Sequence, residues 1–302
     1  MNKPSYMDLL SRGELENRVI RLRGMLKNCV LCPHQCQVNR LKGQRGFCRT
    51  LDKAVISGAE AHFGEEKELV GKYGSGTIFF SHCNLSCVFC QNYEISHCGE
   101  GREVTAQQLA DSMLYLQNRK CHNINLVSPG HIVPQIVEAV FIAAKNGLRI
   151  PIIYNTNGYD LTDTLKLLEG IIDIYMPDIK FSDNEKAQKY LGVKNYYDIA
   201  KEAVREMYMQ VGDLKTNENN IAYRGLMIRH LVMPMNIAGT DKIMRFIAEE
   251  ISKETYVNIM SQYYPSHQAY AYEELRGRVA KKVFSDALES AKAAGLVNVG
   301  TF

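Results

Sequence analysis

GTIFFSHCNLSCVFCQN, residues 76–92, joins two kinds of sequence. Gly76–Phe80 is a short run of strand-forming residues. Directly after it, Cys83, Cys87 and Cys90 stand at C-x3-C-x2-C spacing, with Phe89 just before the last cysteine. A structural zinc site takes four ligands, and an ordinary cubane cluster takes four thiolates. Three thiolates at the end of a strand therefore point to a metal centre with one position left open. The alternative is a zinc site completed by His82, His97 or Cys98.

The sequence downstream keeps a regular rhythm. Thr105 is placed to cap a helix carrying Leu109, Met113 and Leu116. Strand-like runs recur at 123–128, 150–156, 171–180, 226–234 and 256–264, and helical patterns at 133–146, 161–169, 184–212, 240–253 and 273–294. Six strands alternating with helices predict an α/β fold with a parallel sheet, either an open doubly wound sheet or a complete or partial barrel. In both architectures the working residues sit at the C-terminal strand ends. Those ends deliver the cysteine loop; Ser128, Pro129, Gly130 and His131; Asn155, Thr156, Asn157 and Gly158; Asp178 and Lys180; Arg229 and His230; and Ser261, Gln262 and Tyr263. Six polar ends on one rim point to a shared site. Taken singly, His230 also reads as a core histidine, Asp178 and Lys180 as a plain ion pair on one strand face, and NTNG (155–158) as a turn.

Upstream, residues 5–28 carry leucines and Val19 at helical spacing, and 54–76 reads as turn-rich. Between them Cys29, Cys32, Cys36 and Cys48 lie in a segment with few large apolar residues, which a bound metal would organise. The expected division is an N-terminal helix and cysteine-rich extension, 1–75, followed by the barrel and a C-terminal helix, 76–302. KTNENN (215–220) reads as a surface loop.

The chain has 302 residues, 36 Lys and Arg against 33 Asp and Glu, and nine cysteines. A net charge of +3 gives no argument for nucleic acid or an acidic membrane surface. No apolar run is long enough to span a membrane, and the start lacks a signal-peptide pattern, so a cytoplasmic location is expected. Nine cysteines there suggest metal or redox chemistry rather than disulfides; Cys98 and Cys121, which stand apart, read as small buried residues.

The cysteine loop after a first strand, with its aromatic, resembles the radical S-adenosylmethionine (SAM) superfamily. GSGTIFFSHCNLSCVFCQNYEIS, NTNGY, MPDIK and RHLVMP, with CVLCPHQCQVNRLKGQRGFC and NIMSQYYP, resemble the glycyl radical enzyme activators, and in particular the pyruvate formate-lyase activating enzyme-like branch. The likeness covers about residues 25–265 and implies a partial (β/α)6 TIM-like barrel. It implies that Cys83, Cys87 and Cys90 hold three irons of a [4Fe–4S] cluster whose fourth iron binds SAM. Reductive cleavage of SAM then yields a 5′-deoxyadenosyl radical that abstracts hydrogen.

By the same likeness, Phe89 lies near the adenine, Asn155 and Asn157 line the ribose or methionine side, and Asp178, Lys180 and His230 surround the methionine, with Lys180 and His230 donating to its carboxylate. A flavodoxin or ferredoxin is the implied electron donor, and a glycyl radical enzyme is a possible protein substrate; a small molecule or peptide is the alternative. The chain departs from the superfamily where a Gly-Gly-Glu-like segment usually holds the SAM amino group. That place reads VSPGHIVP (127–134), so carbonyls near Ser128 and Pro129, with His131, are the expected substitutes. Cys29, Cys32, Cys36 and Cys48 hold either a second [4Fe–4S] cluster or structural zinc. Two non-enzymatic readings stand beside this one: a zinc-stabilised nucleic-acid or protein binding module, and a simple electron-transfer protein.

Overall fold

Leu9, Leu15, Leu22 and Leu26 are buried in the main hydrophobic core, which is why the N-terminal segment folds as helix against the rest of the chain. In the computed structural model, which describes residues 3–301, this segment forms α1 (Tyr6–Ser11) and α2 (Glu14–Met25). Met1, Asn2 and Phe302, at the outer bounds of the expected spans, lie outside the described residues. The single expected helix is divided at Gly13, whose φ of 72° suits glycine and stops α1. The buried carboxylate of Asp173 fixes the start of the chain, accepting from the backbone N–H of Ser5 at 2.7 Å and of Ile152 at 3.0 Å.

The cysteine-rich segment 29–50 contains only a short turn at Arg40–Lys42. After it come β1 (Ala54–His62), α3 (Lys67–Val70), β2 (Ser75–Phe80) and β3 (Arg102–Val104). The expected alternation follows: α4 (Ala106–Asn118), β4 (Ile124–Val127), α5 (Val133–Lys145), β5 (Ile152–Thr156), α6 (Thr162–Lys166) and β6 (Ile174–Pro177). Next are α7 (Asn184–Leu191), α8 (Tyr196–Val211), β7 (Lys215–Thr216), β8 (Ala222–Leu231), α9 (Thr240–Phe246), β9 (Tyr256–Met260), α10 (Lys281–Ala294) and β10 (Val299–Thr301). Thr105 caps α4 as its sequence suggests, its hydroxyl accepting from Gln108 N while the Gln108 side chain accepts from Thr105 N.

The sheet runs β10-β9-β8-β6-β5-β4-β2-β1-β3, and every pair from β2 to β10 along that path is parallel. The path has two ends and does not close, so the architecture is an open, partial α/β barrel. The reading of 54–76 as turns misses β1, which pairs antiparallel with β2 and β3. Its sequence, AVISGAEAH, carries a glycine and is buried only at Ala54 and Ile56, the rest being intermediate or exposed. The helical pattern over 184–212 divides at Gly192, φ 78°, and KTNENN supplies the short strand β7 ahead of an exposed turn.

Register decides which side chains share the concave face. Val127 is level with Asn155, Asp178 bridges to Arg229, and Arg229 pairs with Asn258. Paired residues of neighbouring strands point the same way and alternate residues point oppositely. Asn125, Asn155, Asp178, Arg229 and Asn258 therefore face the lumen, while Leu126, Tyr154, Ile228 and Ile259 pack outward into the main core. The segment between β1 and β2 fills the lumen floor, Leu69 packing with Ile153, Ile174, Met176 and Met227.

Candidate active site

β2 ends at Phe80, and the loop it launches carries the three cysteines. Two backbone bonds pin this loop to the end of α7: Ser86 N to Leu191 O and Val88 N to Tyr190 O, both 2.9 Å. The sulfurs receive donors. Asn157 Nδ2 lies 3.3 Å from Cys83 Sγ and Leu85 N lies 3.4 Å from it, while Ser96 Oγ is 3.1 Å from Cys90 Sγ. Burial pushes the Cys83 and Cys87 thiols up, and the Lys180 ammonium pulls both back. These are soft donors in a largely buried loop, with N–H groups aimed at sulfur, which fits the three-thiolate cluster.

Above the lumen, Asp178 accepts from Lys180 Nζ at 2.7 Å and from Arg229 Nε at 3.0 Å. Arg229 also donates to Asn155 Oδ1 at 2.7 Å and to Glu65 at 3.3 Å. Burial alone would raise Asp178, but the two cations outweigh it and hold its carboxyl below the usual range. Lys180, disfavoured by burial, is held charged by Asp178 and Cys87. Glu65 goes the other way. Burial and the neighbouring Glu66 and Asp178 carboxylates push it up to about 7 against the pull of Arg229. Below them Glu66 accepts from Asn258 Nδ2 at 2.7 Å, yet Glu66 Oε2 and Asn258 Oδ1 find no hydrogen-bond partner among the described residues.

The expected residues are brought together unequally. Cys83, Cys87, Cys90, Asn155, Asn157, Asp178 and Lys180 converge. Asn157 serves the cysteine loop directly, bonding Cys83 Sγ and, at 2.8 Å, Asn84 Oδ1. Phe89 is buried in an aromatic group, edge-on to Phe181 and Tyr263. Ser128 adopts φ 60° as its N–H bonds Asn155 O, which turns the chain at the end of β4.

His230 does not join this group and takes the position of a core histidine, the other reading its sequence offered. It is fully buried on the outward face, its Nδ1–H donating to Ile179 O and its Nε2 accepting from the Thr240 hydroxyl. Burial drives its pKa down to about 4, so it is neutral with both nitrogens occupied, and Arg229 takes the lumen position instead. His131 is equally enclosed; Nε2–H donates to Ser81 O at 3.1 Å. Sequence reasoning also passed over Glu65 and Glu66, which lie in a stretch it read as turns. The local sequence carries no signal for them, because α3 and a turn separate them from β2.

Cys29, Cys32, Cys36 and Cys48 line a second pocket. Cys98 is exposed and Cys121 buried. Among the described residues no three His, Cys, Asp or Glu side chains close round a point as round a single ion, and no helix is long and apolar enough to cross a membrane.

Comparison with known proteins agrees with this geometry. Residues 77–216, from β2 through β7, match the Radical SAM superfamily. An uncharacterized protein of Methanocaldococcus jannaschii, MJ0674, is 32% identical over 298 residues, 96% of this chain and 79% of that one. The chain belongs to the radical SAM superfamily. Its members are enzymes that use a [4Fe–4S] cluster and SAM and that need an electron donor. The fold is also similar to Streptococcus suis SuiB bound to precursor peptide SuiA, with a TM-score of 0.51, 12% identity, and coverage of 73% of this chain and 46% of that one. HydG, a maturase of the [FeFe]-hydrogenase, gives a TM-score of 0.49 and 14% identity, with 73% and 48% covered. The chain thus spans about half the length of each of these two structures.

Proposed function

We propose that this radical SAM enzyme abstracts a hydrogen atom from a substrate presented at the mouth above Cys83, Cys87 and Cys90. When bound, the cluster supplies one electron that breaks a carbon–sulfur bond of SAM, giving methionine and a 5′-deoxyadenosyl radical that takes hydrogen from a C–H bond. The observation that carries the reading is the position of the three thiols, at the end of the first parallel strand and beside the Asp178, Lys180 and Arg229 ionic group.

The residues have distinct parts in it. The cysteines hold the cluster, and Asn157, the Leu85 N–H and Ser96 donate to sulfur. Lys180 presents a cation toward the methionine carboxylate, oriented by Asp178. Arg229 fixes Asp178 and Asn155. The carbonyls around Ser128 and Pro129 accept from the amino group where the usual acidic segment is missing. Phe89 and its aromatic neighbours exclude water on the adenine side.

The likeness to glycyl radical enzyme activators favours a protein glycine as the hydrogen source, with a flavodoxin or ferredoxin as donor in a cytoplasmic setting. The unpartnered Glu66 and Asn258 oxygens support a second reading, a small substrate or peptide side chain whose N–H groups enter the lumen.

The test is anaerobic cluster reconstitution followed by dithionite and SAM. Release of 5′-deoxyadenosine is expected, and its complete loss in Cys87→Ala. Colourless protein holding zinc alone would overturn the reading. Incubating the reduced enzyme with labelled SAM and cell extract, and finding which molecule exchanges hydrogen with 5′-deoxyadenosine, separates protein from small-molecule substrates.

A further inference from the structure

Arg40 is a buried guanidinium, 2% exposed, in a segment that has no core of its own. Every partner it has among the described residues is a carbonyl or a sulfur. Nε and Nη2 donate to Leu51 O, and Nη1 donates to His131 O at 2.8 Å and points at Cys29 Sγ 4.0 Å away. Among the described residues no carboxylate balances it. A charge kept from water without a counter-charge costs several kcal/mol. Guanidinium does not escape by losing its proton.

The counter-charge is implicit in its surroundings. Arg40 lines one pocket with Cys29, Cys32, Cys36, Cys48 and His131. Four neutral thiols offer no charge, whereas four thiolates around one Zn²⁺ or one [4Fe–4S]²⁺ carry a net charge of −2. The local backbone is shaped for sulfur ligands. Phe47 N donates to Cys36 Sγ at 3.4 Å, and a Cβ at Gly46 would stand 2.7 Å from that sulfur. Cys29 and the chain returning to it exchange bonds, Cys29 N to Val38 O at 3.0 Å and Gln37 N to Cys29 O at 2.9 Å, with Gln35 and Gln37 in left-handed conformations that fold the segment around the pocket.

We propose that Cys29, Cys32, Cys36 and Cys48 bind a four-thiolate iron–sulfur centre, whose negative charge is compensated by the buried Arg40; their sulfurs do not close round a point as a single zinc ion requires. This centre is distinct from the three-cysteine cluster but braces its loop from two sides. His34 Nε2–H donates to Asn84 O at 2.9 Å, inside the cysteine loop, and His131 links Arg40 to Ser81, two residues before Cys83.

The experiment uses the full chain with Cys83, Cys87 and Cys90 all changed to Ala, prepared anaerobically and reconstituted with iron and sulfide or with zinc alone. The expected result is one bound centre per chain, iron with acid-labile sulfide rather than a single zinc ion, and its loss when Cys36→Ser and Cys48→Ser are added. In the otherwise native chain, Cys36→Ser with Cys48→Ser removes that metal while the electron paramagnetic resonance signal of the reduced SAM-binding cluster persists. This arm also decides the matter if the triple variant does not fold. Arg40→Met yields the metal to chelator about ten- to a hundredfold more readily, and Arg40→Lys partly restores retention. A folded triple variant that binds no metal, metal unaffected by Cys36→Ser with Cys48→Ser, or Arg40→Met with native retention would overturn the assignment. Because metal content is read without SAM cleavage, failure here is distinguishable from failure of the radical chemistry.

Discussion

Arg229 and His230 are neighbours in sequence and face opposite sides of β8. Arg229 meets Asp178 in the lumen, and His230 is sealed between Ile179 and Thr240 behind it. Arg229→Met should therefore strip Asp178 and Asn155 of their shared donor, destabilise the chain by about 3–5 kcal/mol, and weaken SAM binding in equilibrium dialysis. His230→Ala should lower thermal stability by about 1–3 kcal/mol through the orphaned Ile179 carbonyl and Thr240 hydroxyl, leaving SAM affinity unchanged in the folded fraction. Loss of SAM affinity in the His230 variant alone would reverse the assignment.

Asn157 donates to Cys83 Sγ at 3.3 Å. A donor at sulfur stabilises the more negative, reduced cluster. Asn157→Leu removes one hydrogen bond worth about 1 kcal/mol. The midpoint potential of the reconstituted cluster should fall by about 40 mV, the one-electron equivalent of that energy. Redox titration followed by electron paramagnetic resonance measures it, and an unchanged or raised potential would show that the amide does not act on the sulfur.

Gly158 holds φ at 81°, and a Cβ there would stand 2.4 Å from the Asp178 carbonyl. Both the left-handed backbone and the contact oppose a side chain. Gly158→Ala should cost about 1–3 kcal/mol and displace Asn157 and Asp178 together. Urea titration reads the stability, and 5′-deoxyadenosine release from the fraction still folded reads the site. Native behaviour in both would mean the turn relaxes freely.

The strand rhythm and the rim of polar strand ends were legible because parallel strands buried on both faces are written as apolar runs that stop at polar residues. Three things were not legible. β1 is an antiparallel strand that carries a glycine and is buried only at Ala54 and Ile56, so its pattern resembles a loop. The choice between Arg229 and His230 depends on strand phase, and an apolar strand that carries both does not reveal its phase. Glu65 and Glu66 reach the lumen only because the segment between β1 and β2 folds back beneath the sheet, a contact between distant residues that local pattern does not encode. For the cysteines, type and spacing carried the chemistry, while the contacts that join the two groups, through His34, Asn84, His131 and Ser81, emerge only from the fold.

Glu65, with a pKa pushed up to about 7 by burial and two neighbouring carboxylates, gives the stability a pH signature. In the unfolded chain this carboxyl titrates at its ordinary 4.5. Between those values the native state holds a proton that the unfolded state has released, so stability from this group is greatest in acid and declines as pH rises toward about 7. Glu65→Gln removes that titration. Relative to the native chain, the variant should gain up to about 3 kcal/mol between pH 4.5 and pH 8, whatever its stability at the acid end. Denaturant melts of both proteins across that range read the difference directly. Parallel pH curves for the two would mean that Glu65 is ionised throughout, with Arg229 overcoming the burial and repulsion that oppose its charge.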